Sequence, residues 1–165
     1  MKKYEPGPLQ LARDVVVGED VHIDDFVNLY ECEIGDESKV DSFVEIGAGV
    51  TVGKRCRINT QAYICPGVTI EDDVFIGERV MFTNDKYARA ITPSGELSTA
   101  ADWTLLPTLI KSGAYIGSRV SVLCDITIGK GARVEPGSVV TKDVPDGVTV
   151  AGNPAQIVES VAAEE

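Results

Sequence analysis

The chain has 165 residues, 26 acidic against 15 basic, for a net charge of −11. That length suits one domain with a real core. The acidic balance argues against binding DNA or RNA, which needs a basic footprint. Val and Ile supply 35 residues and aromatics only ten, which favours strands over helices.

The N-terminus, Met1 to Pro6, has no apolar h-region and does not read as a signal peptide. No apolar run is long enough for a membrane span. Cys32, Cys56, Cys65 and Cys124 form no Cys-x-x-Cys pair, and the single His22 has no Cys neighbour. No metal site is expected. The reading is a cytoplasmic protein with free thiols.

In chain order, Leu11, Val17, Ile23 and Leu29 begin a loose period of six, with a one-residue deletion before Ile34. From there the period is strict through Val40, Ile46, Val52, Ile58, Ile64, Ile70 and Ile76. It resumes at Ile110, Ile116, Val122, Ile128, Val134 and Val140, giving Ile or Val at all fourteen positions. About one residue in five is Ile or Val, so chance does not explain this. Four residues after each lies a small or medium residue, such as Ser38, Ala62, Val68, Ala114, Ala132 or Ser138. Gly often follows directly, as at Gly35, Gly53 and Gly77.

A period of six is neither 3.6 nor 2, so neither an amphipathic helix nor a hairpin stack explains it. It fits a triangular prism: six residues per side, 18 per coil, and about six coils. The large apolar residue points inward. Coils stack at about 4.8 Å through parallel strand pairing, each covering the apolar edge of the next.

The repeat is absent from Thr83 to Leu109. A 27-residue excursion of this kind is often functional. The competing reading is a disordered surface loop, but Tyr87, Trp103, Leu105 and Leu106 are too apolar for that. The expected layout is a single domain over 1–165, with coils at about 11–82 and 110–145, a loop at 83–109 and a short tail at 146–165. Gly152-Asn153-Pro154-Ala155 punctuates a tight loop. Glu159 to Glu165 reads as a short helix or a frayed end.

The repeat, the long loop after Phe82 and the tail resemble the left-handed β-helix acyltransferases. Asp72-Asp73-Val74-Phe75-Ile76-Gly77 and Phe82-Thr83-Asn84-Asp85-Lys86-Tyr87-Ala88-Arg89-Ala90 are similar to bacterial nucleotide-amino-sugar N-acetyltransferases. These act on 3-amino groups of UDP- or dTDP-linked sugars in lipopolysaccharide and glycan synthesis. Ala88 stands where many members have Pro, and Cys65-Pro66 where many have a Tyr or an acidic residue. The resemblance implies a left-handed all-β parallel β-helix, a homotrimer, and acetyl-CoA as co-substrate.

Amine acetylation needs a neutral amine, alignment, a polarised carbonyl and an exit for one proton. His22 lies in the early coils, far from the loop, so a His-dependent mechanism is not expected. That weighs against three-His carbonic anhydrases and against serine, maltose and xenobiotic acetyltransferases. The resemblance implies direct attack, the amine held by Asn84 and oriented or deprotonated by Asp85, with Tyr87 and Arg89 binding substrate. It places coenzyme at Lys142, Asn153 and Pro154, with Ala114, Ala132 and Ser138 small where pantetheine would lie. Each has a structural alternative: Asn84-Asp85 as a turn cap, Arg89 as a solvated cation, and the small residues as corner packing. Cys65 reads as packing. The rival functions are acyl transfer to another acceptor and a non-catalytic scaffold subunit.

Overall fold

The computed structural model describes residues 1–99 and 101–158. The described residues contain strands and turns but no helix, so none could cross a membrane as an apolar helix. The strands form three sheets, of seven, eight and seven members, that are the three sides of a prism. The first side stacks Val16–Val17, Glu33–Ile34, Thr51–Val52, Val68–Ile70, Thr108–Ile110 and Ile126–Ile128 in parallel. The second runs from His22–Ile23 to Thr149–Gly152. The third runs from Leu11–Arg13 to Val139–Val140. With the hexapeptide pattern, this is a left-handed parallel β-helix.

All fourteen periodic Ile and Val positions from Ile34 to Val140 are at most 1% exposed. The fourteen residues four places later, Ser38 to Val144, are buried as well. Burying each Ile contributes about 1.5–3 kcal/mol, and the stacks run unbroken along the axis. The glycines after inward residues are explained by the next coil. A Cβ on Gly77 would lie 2.5 Å from the Ser118 backbone nitrogen, and one on Gly35 would lie 2.6 Å from the Gly53 carbonyl carbon.

Each corner is a tight turn. From Val17 onward, in every full six-residue side the third residue after the inward one turns the chain. Among the described residues twelve that are not glycine have positive φ, from Asp14 (52°) to Asp125 (63°), and all sit at corners. The left-handed conformation is disfavoured for residues with a Cβ, at a cost of order 1 kcal/mol each. Hydrogen bonds between corners of successive coils offset it: Arg55 N–H donates to the Asp36 carbonyl at 2.8 Å, and Asp73 N–H to that of Lys54 at 2.8 Å.

The structure corrects two expectations. Leu11 is 54% exposed; Ala12 is the inward residue, paired with Leu29. Two five-residue sides, Ala12 to Val17 and Leu29 to Ile34, each shorten a corner by one residue. The prism also runs past residue 145. Val144 bridges Ile128, and Thr149–Gly152 adds a strand on the second side with Val150 buried. The chain then folds back through Asn153-Pro154 into Ala155–Ile157. This hairpin covers the last coil, as Lys2–Lys3, antiparallel to Val16–Val17, covers the first. The expected helical or frayed end, Glu159 to Glu165, lies outside the described residues.

Coils on either side of the excursion are tied by Glu71. Its Oε2 accepts from the Ser112 N–H and the Ser112 hydroxyl, both at 2.8 Å. The backbone donor first, then the hydroxyl, holds the Glu71 carboxyl below its ordinary pKa. A lowered folded value means stability present above the unfolded pKa of about 4.3 and lost as pH falls through the folded one. Urea melts of wild type and Glu71→Gln should therefore differ at neutral pH and converge as the pH falls below the folded pKa of the Glu71 carboxyl.

Candidate active site

The chain leaves the prism after Phe82 and re-enters at Thr108. The exit is fixed: Thr83 N–H donates to the Val122 carbonyl at 3.0 Å, and its hydroxyl accepts from Cys124 N–H at 3.1 Å. The base of the excursion is zipped by Leu106 N–H donating to the Asn84 carbonyl at 3.0 Å. Leu105 lies over Gly67, where a Cβ would meet its Cδ2 at 2.5 Å. Further out, Ile91 and Leu97 bridge in a small hairpin turned by Pro93-Ser94-Gly95. A second turn is held by Asp102, whose Oδ2 accepts from the Thr99 N–H and hydroxyl at 2.7 and 2.8 Å. Those bonds keep the Asp102 carboxyl below its usual pKa. The described residues of the excursion are thus tied to one another and to the prism.

It encloses a cavity of about 460 Å³ lined by Asp85, Tyr87, Arg89, Asp102, Trp103 and others. Asp85 Oδ1 accepts from the Tyr87 N–H at 2.8 Å, which bends the backbone and turns Tyr87 outward. Asp85 Oδ2 has no hydrogen-bond partner among the described residues. Asp102 likewise has one oxygen, Oδ1, without a partner among them, so both lining carboxylates have an oxygen to offer; Asp85 is the one beside Tyr87 and Arg89 in the chain. Arg89 and Lys86 supply cations. Tyr87 is 74% exposed, leaving its ring available to a ligand.

The structure therefore brings Asp85, Tyr87 and Arg89 together, and adds Trp103, Asp102 and Ser98. Trp103 stood out in the sequence as the only Trp; Ser98 and Asp102 carried no signal. Asn84 is not part of the lining. Its Nδ2 donates to the Pro66 carbonyl at 3.2 Å, making it a tie between excursion and prism.

The expected coenzyme residues are also redistributed. Ala114, Ala132 and Ser138 point into the prism and are 1% exposed or less. Nothing on the outer wall can touch them; they are small because corners have little room. The Ser138 hydroxyl donates to the Glu135 carbonyl at 2.6 Å and accepts from Gly152 N–H at 3.1 Å, anchoring the terminal hairpin. Lys142 donates to Gln156 Oε1 at 3.3 Å, and Asn153-Pro154 is the exposed hairpin tip. Lys142 stands two coils beyond the exit coil and Asn153-Pro154 three, all outside the cavity.

Other reactive groups lie elsewhere. His22 is on the second side, three coil steps before Phe75, with Nε2 at 2.8 Å from Asp24 Oδ1. All four cysteines are free and buried. Burial pushes the Cys65 thiol up to about 11, so its thiolate is scarce at neutral pH. No cluster of three or more His, Cys, Asp or Glu suited to a metal occurs among the described residues.

The bacterial transferase hexapeptide family (six repeats) matches residues 49–84 and 107–142, the two blocks flanking the excursion. This chain is a hexapeptide-repeat β-helix. It is 31% identical over 159 residues to the bifunctional protein GlmU of Nitratidesulfovibrio vulgaris, covering 85% of this chain and 33% of that protein. The chain thus spans about a third of the length of the GlmU relatives it matches. Among solved structures it resembles an alanine mutant of AntD, an N-acyltransferase from Bacillus cereus in complex with dTDP and coenzyme A. The TM-score is 0.68 at 18% identity, over 97% of this chain and 91% of that one. It also resembles an alanine mutant of GDP-perosamine N-acetyltransferase from Caulobacter crescentus, in complex with CoA and GDP-perosamine. There the TM-score is 0.60 at 20% identity, over 91% and 57%. At these identities the likeness shows the fold.

Proposed function

We propose that this chain transfers an acetyl group from acetyl-CoA to the amine of a nucleotide-linked amino sugar. The observation that carries the reading is the excursion cavity, where the Asp85 carboxylate, a cation and two aromatic rings converge beside an acyltransferase-type prism. AntD and the perosamine enzyme, which share the fold, bind coenzyme A with a nucleotide or nucleotide sugar.

The amine attacks the thioester carbonyl carbon; the C–N bond forms, the C–S bond breaks, and coenzyme A leaves as the thiol. The nitrogen must lose a proton. Asp85 Oδ2 orients the amine, accepts that proton and passes it on to the leaving sulfur, with no histidine in the cavity lining. Arg89 meets the pyrophosphate, and Tyr87 and Trp103 offer faces to the base or sugar. Holding the amine against the thioester supplies much of the rate gain. Asn84 keeps the excursion in place and acts through position. The active assembly on this reading is a homotrimer, with a neighbour covering Tyr87, Ile91 and Leu97, which are 54–78% exposed in the single chain. Its setting is a cytoplasmic step in surface-glycan assembly.

Thiol release from acetyl-CoA is the test, with a panel of UDP- and dTDP-linked 3-amino and 4-amino sugars. Turnover on one sugar is expected. Asp85→Asn, which keeps an acceptor for Tyr87 N–H, should lower kcat/KM by about 10²-fold or more. Coenzyme A at 100 times its dissociation constant should stabilise the fold by about 2.7 kcal/mol. That shift without sugar turnover would move the reading to another acceptor. Neither signal would leave a scaffold.

A further inference from the structure

The corner between the second and third sides carries a column of side chains unlike those of the other two corners. Read up the axis it is Phe26, Phe43, Gln61, Arg79 and Arg119, one residue per coil, all with positive φ between 57° and 63°, and the next coil places Gly137 there. Elsewhere among the described residues the left-handed positions hold Asp, Glu or Gly, with one exception, Arg55, which is paired with Asp73. A Phe is poorly suited to such a position. Both rings are also exposed, 54% and 58%, and they stack on each other with centroids 5.4 Å apart and planes 7° from parallel. Two exposed rings at disfavoured positions do nothing for the core.

The upper half of the column is cationic. Arg79 gives its Nε–H to Gln61 Oε1 at 2.6 Å, and its terminal nitrogens have no hydrogen-bond partner among the described residues. Arg119 has no side-chain partner among the described residues. The nearby Glu78 carboxylate is engaged by the Ser118 hydroxyl. The order Phe, Phe, Gln, Arg, Arg is complementary to its own reverse, aromatic face against guanidinium. The face of an aromatic ring attracts a guanidinium. Successive coils are evenly spaced by their strand pairing. A twofold axis through Gln61 therefore sets Phe26 against Arg119, Phe43 against Arg79, and Gln61 against itself.

We propose that a second copy of this chain docks antiparallel along this corner, making an isologous contact of guanidinium on aromatic face. The excursion leaves from a different corner, so the contact is independent of the cavity. It doubles whatever unit the chain otherwise forms.

The test is sedimentation velocity over a concentration series, with three samples. The first is wild type. The second is Phe26→Asn with Phe43→Asn, because Asn tolerates positive φ. The third is Arg79→Ala with Arg119→Ala, exposed changes that leave the core intact. Wild type should show a species of twice the mass of the unit seen in either variant. Mixing the two variants should restore part of the doubled species, since one copy keeps its arginines and the other its phenylalanines. Unchanged near-native melting of each variant confirms folding. Wild type without doubling, doubling that persists in the arginine variant, or a mixture that stays undoubled would each overturn the proposal. Thiol release by the unit is not expected to change, so this result is distinguishable from failure of the enzymatic reading.

Discussion

Phe82→Ala should destabilise the protein by about 3–5 kcal/mol, as large aromatic truncations in packed cores do. Phe82 is 1% exposed and heads the fully buried side chains in size. It is paired in register with Val122 of the next coil, across the excursion. The other inward residues nearby are β-branched and cannot swing to fill the space an Ala would leave. Its strand neighbour Met81 points outward and is 46% exposed, so Met81→Ala should stay within about 0.5 kcal/mol. Urea melts of both would check this. Loss at Met81 comparable to that at Phe82 would mean the outer surface of the third side is packed against something, for example a neighbouring subunit. Because Thr83 and Asn84 follow directly, the Phe82 cavity should also loosen the exit of the excursion and lower activity beyond the stability loss.

The core was legible because the repeat forces one apolar residue inward on every side. Ile34, Val40 and Ile46 could be read without knowing the neighbours they meet. The first coil was harder: a corner tolerates one residue fewer, and Leu11 and Ala12 are both apolar, so composition could not say which faces in. Val150 was also missed, because the Gly and Pro before it look like an ending, whereas Gly147 is an ordinary corner.

The corners themselves were opaque. Positive φ usually announces itself through Gly or Asn, but here interlocked turns impose it on Asp, Glu, Arg, Gln and Phe. The same reason hid the corner column, whose members are far apart in sequence and meet only once the coil length is known.

The cavity was half legible. Asp85, Tyr87 and Arg89 lie close in the chain, and a short polar-aromatic run can be read as a site. Asn84 belongs to the same run but faces the prism, and only the register against Pro66 shows it. For Ala114, Ala132 and Ser138 smallness has two readings, and their burial in the corner interior accounts for it without a ligand.

Excising the excursion separates fold from function. Ile70 and Ile110 stack as neighbours although 40 residues apart, where the repeat needs 18. The excursion therefore adds 22 residues, and deleting Asp85 to Leu106 removes that number. The join then reads Phe82-Thr83-Asn84-Pro107-Thr108-Leu109-Ile110, an ordinary six-residue side. Pro107 would fall at the corner position that Gly67 occupies one coil earlier with φ of 92°. Proline cannot adopt that angle, so the deletion should carry Pro107→Gly. The repaired chain keeps every inward stack and the hydrogen bonds of Thr83. It should melt within a few degrees of wild type, because shortening a surface excursion changes closure entropy only by roughly (3/2)RT ln of the length ratio. Thiol release should fall to background, since Asp85, Tyr87, Arg89 and Trp103 leave together. A repaired chain that fails to fold would make the excursion part of the prism's stability, through Leu105 on Gly67 and Asn84 on Pro66. A folded chain that still turns over the sugar would place the chemistry on the prism wall and end the role assigned to Asp85.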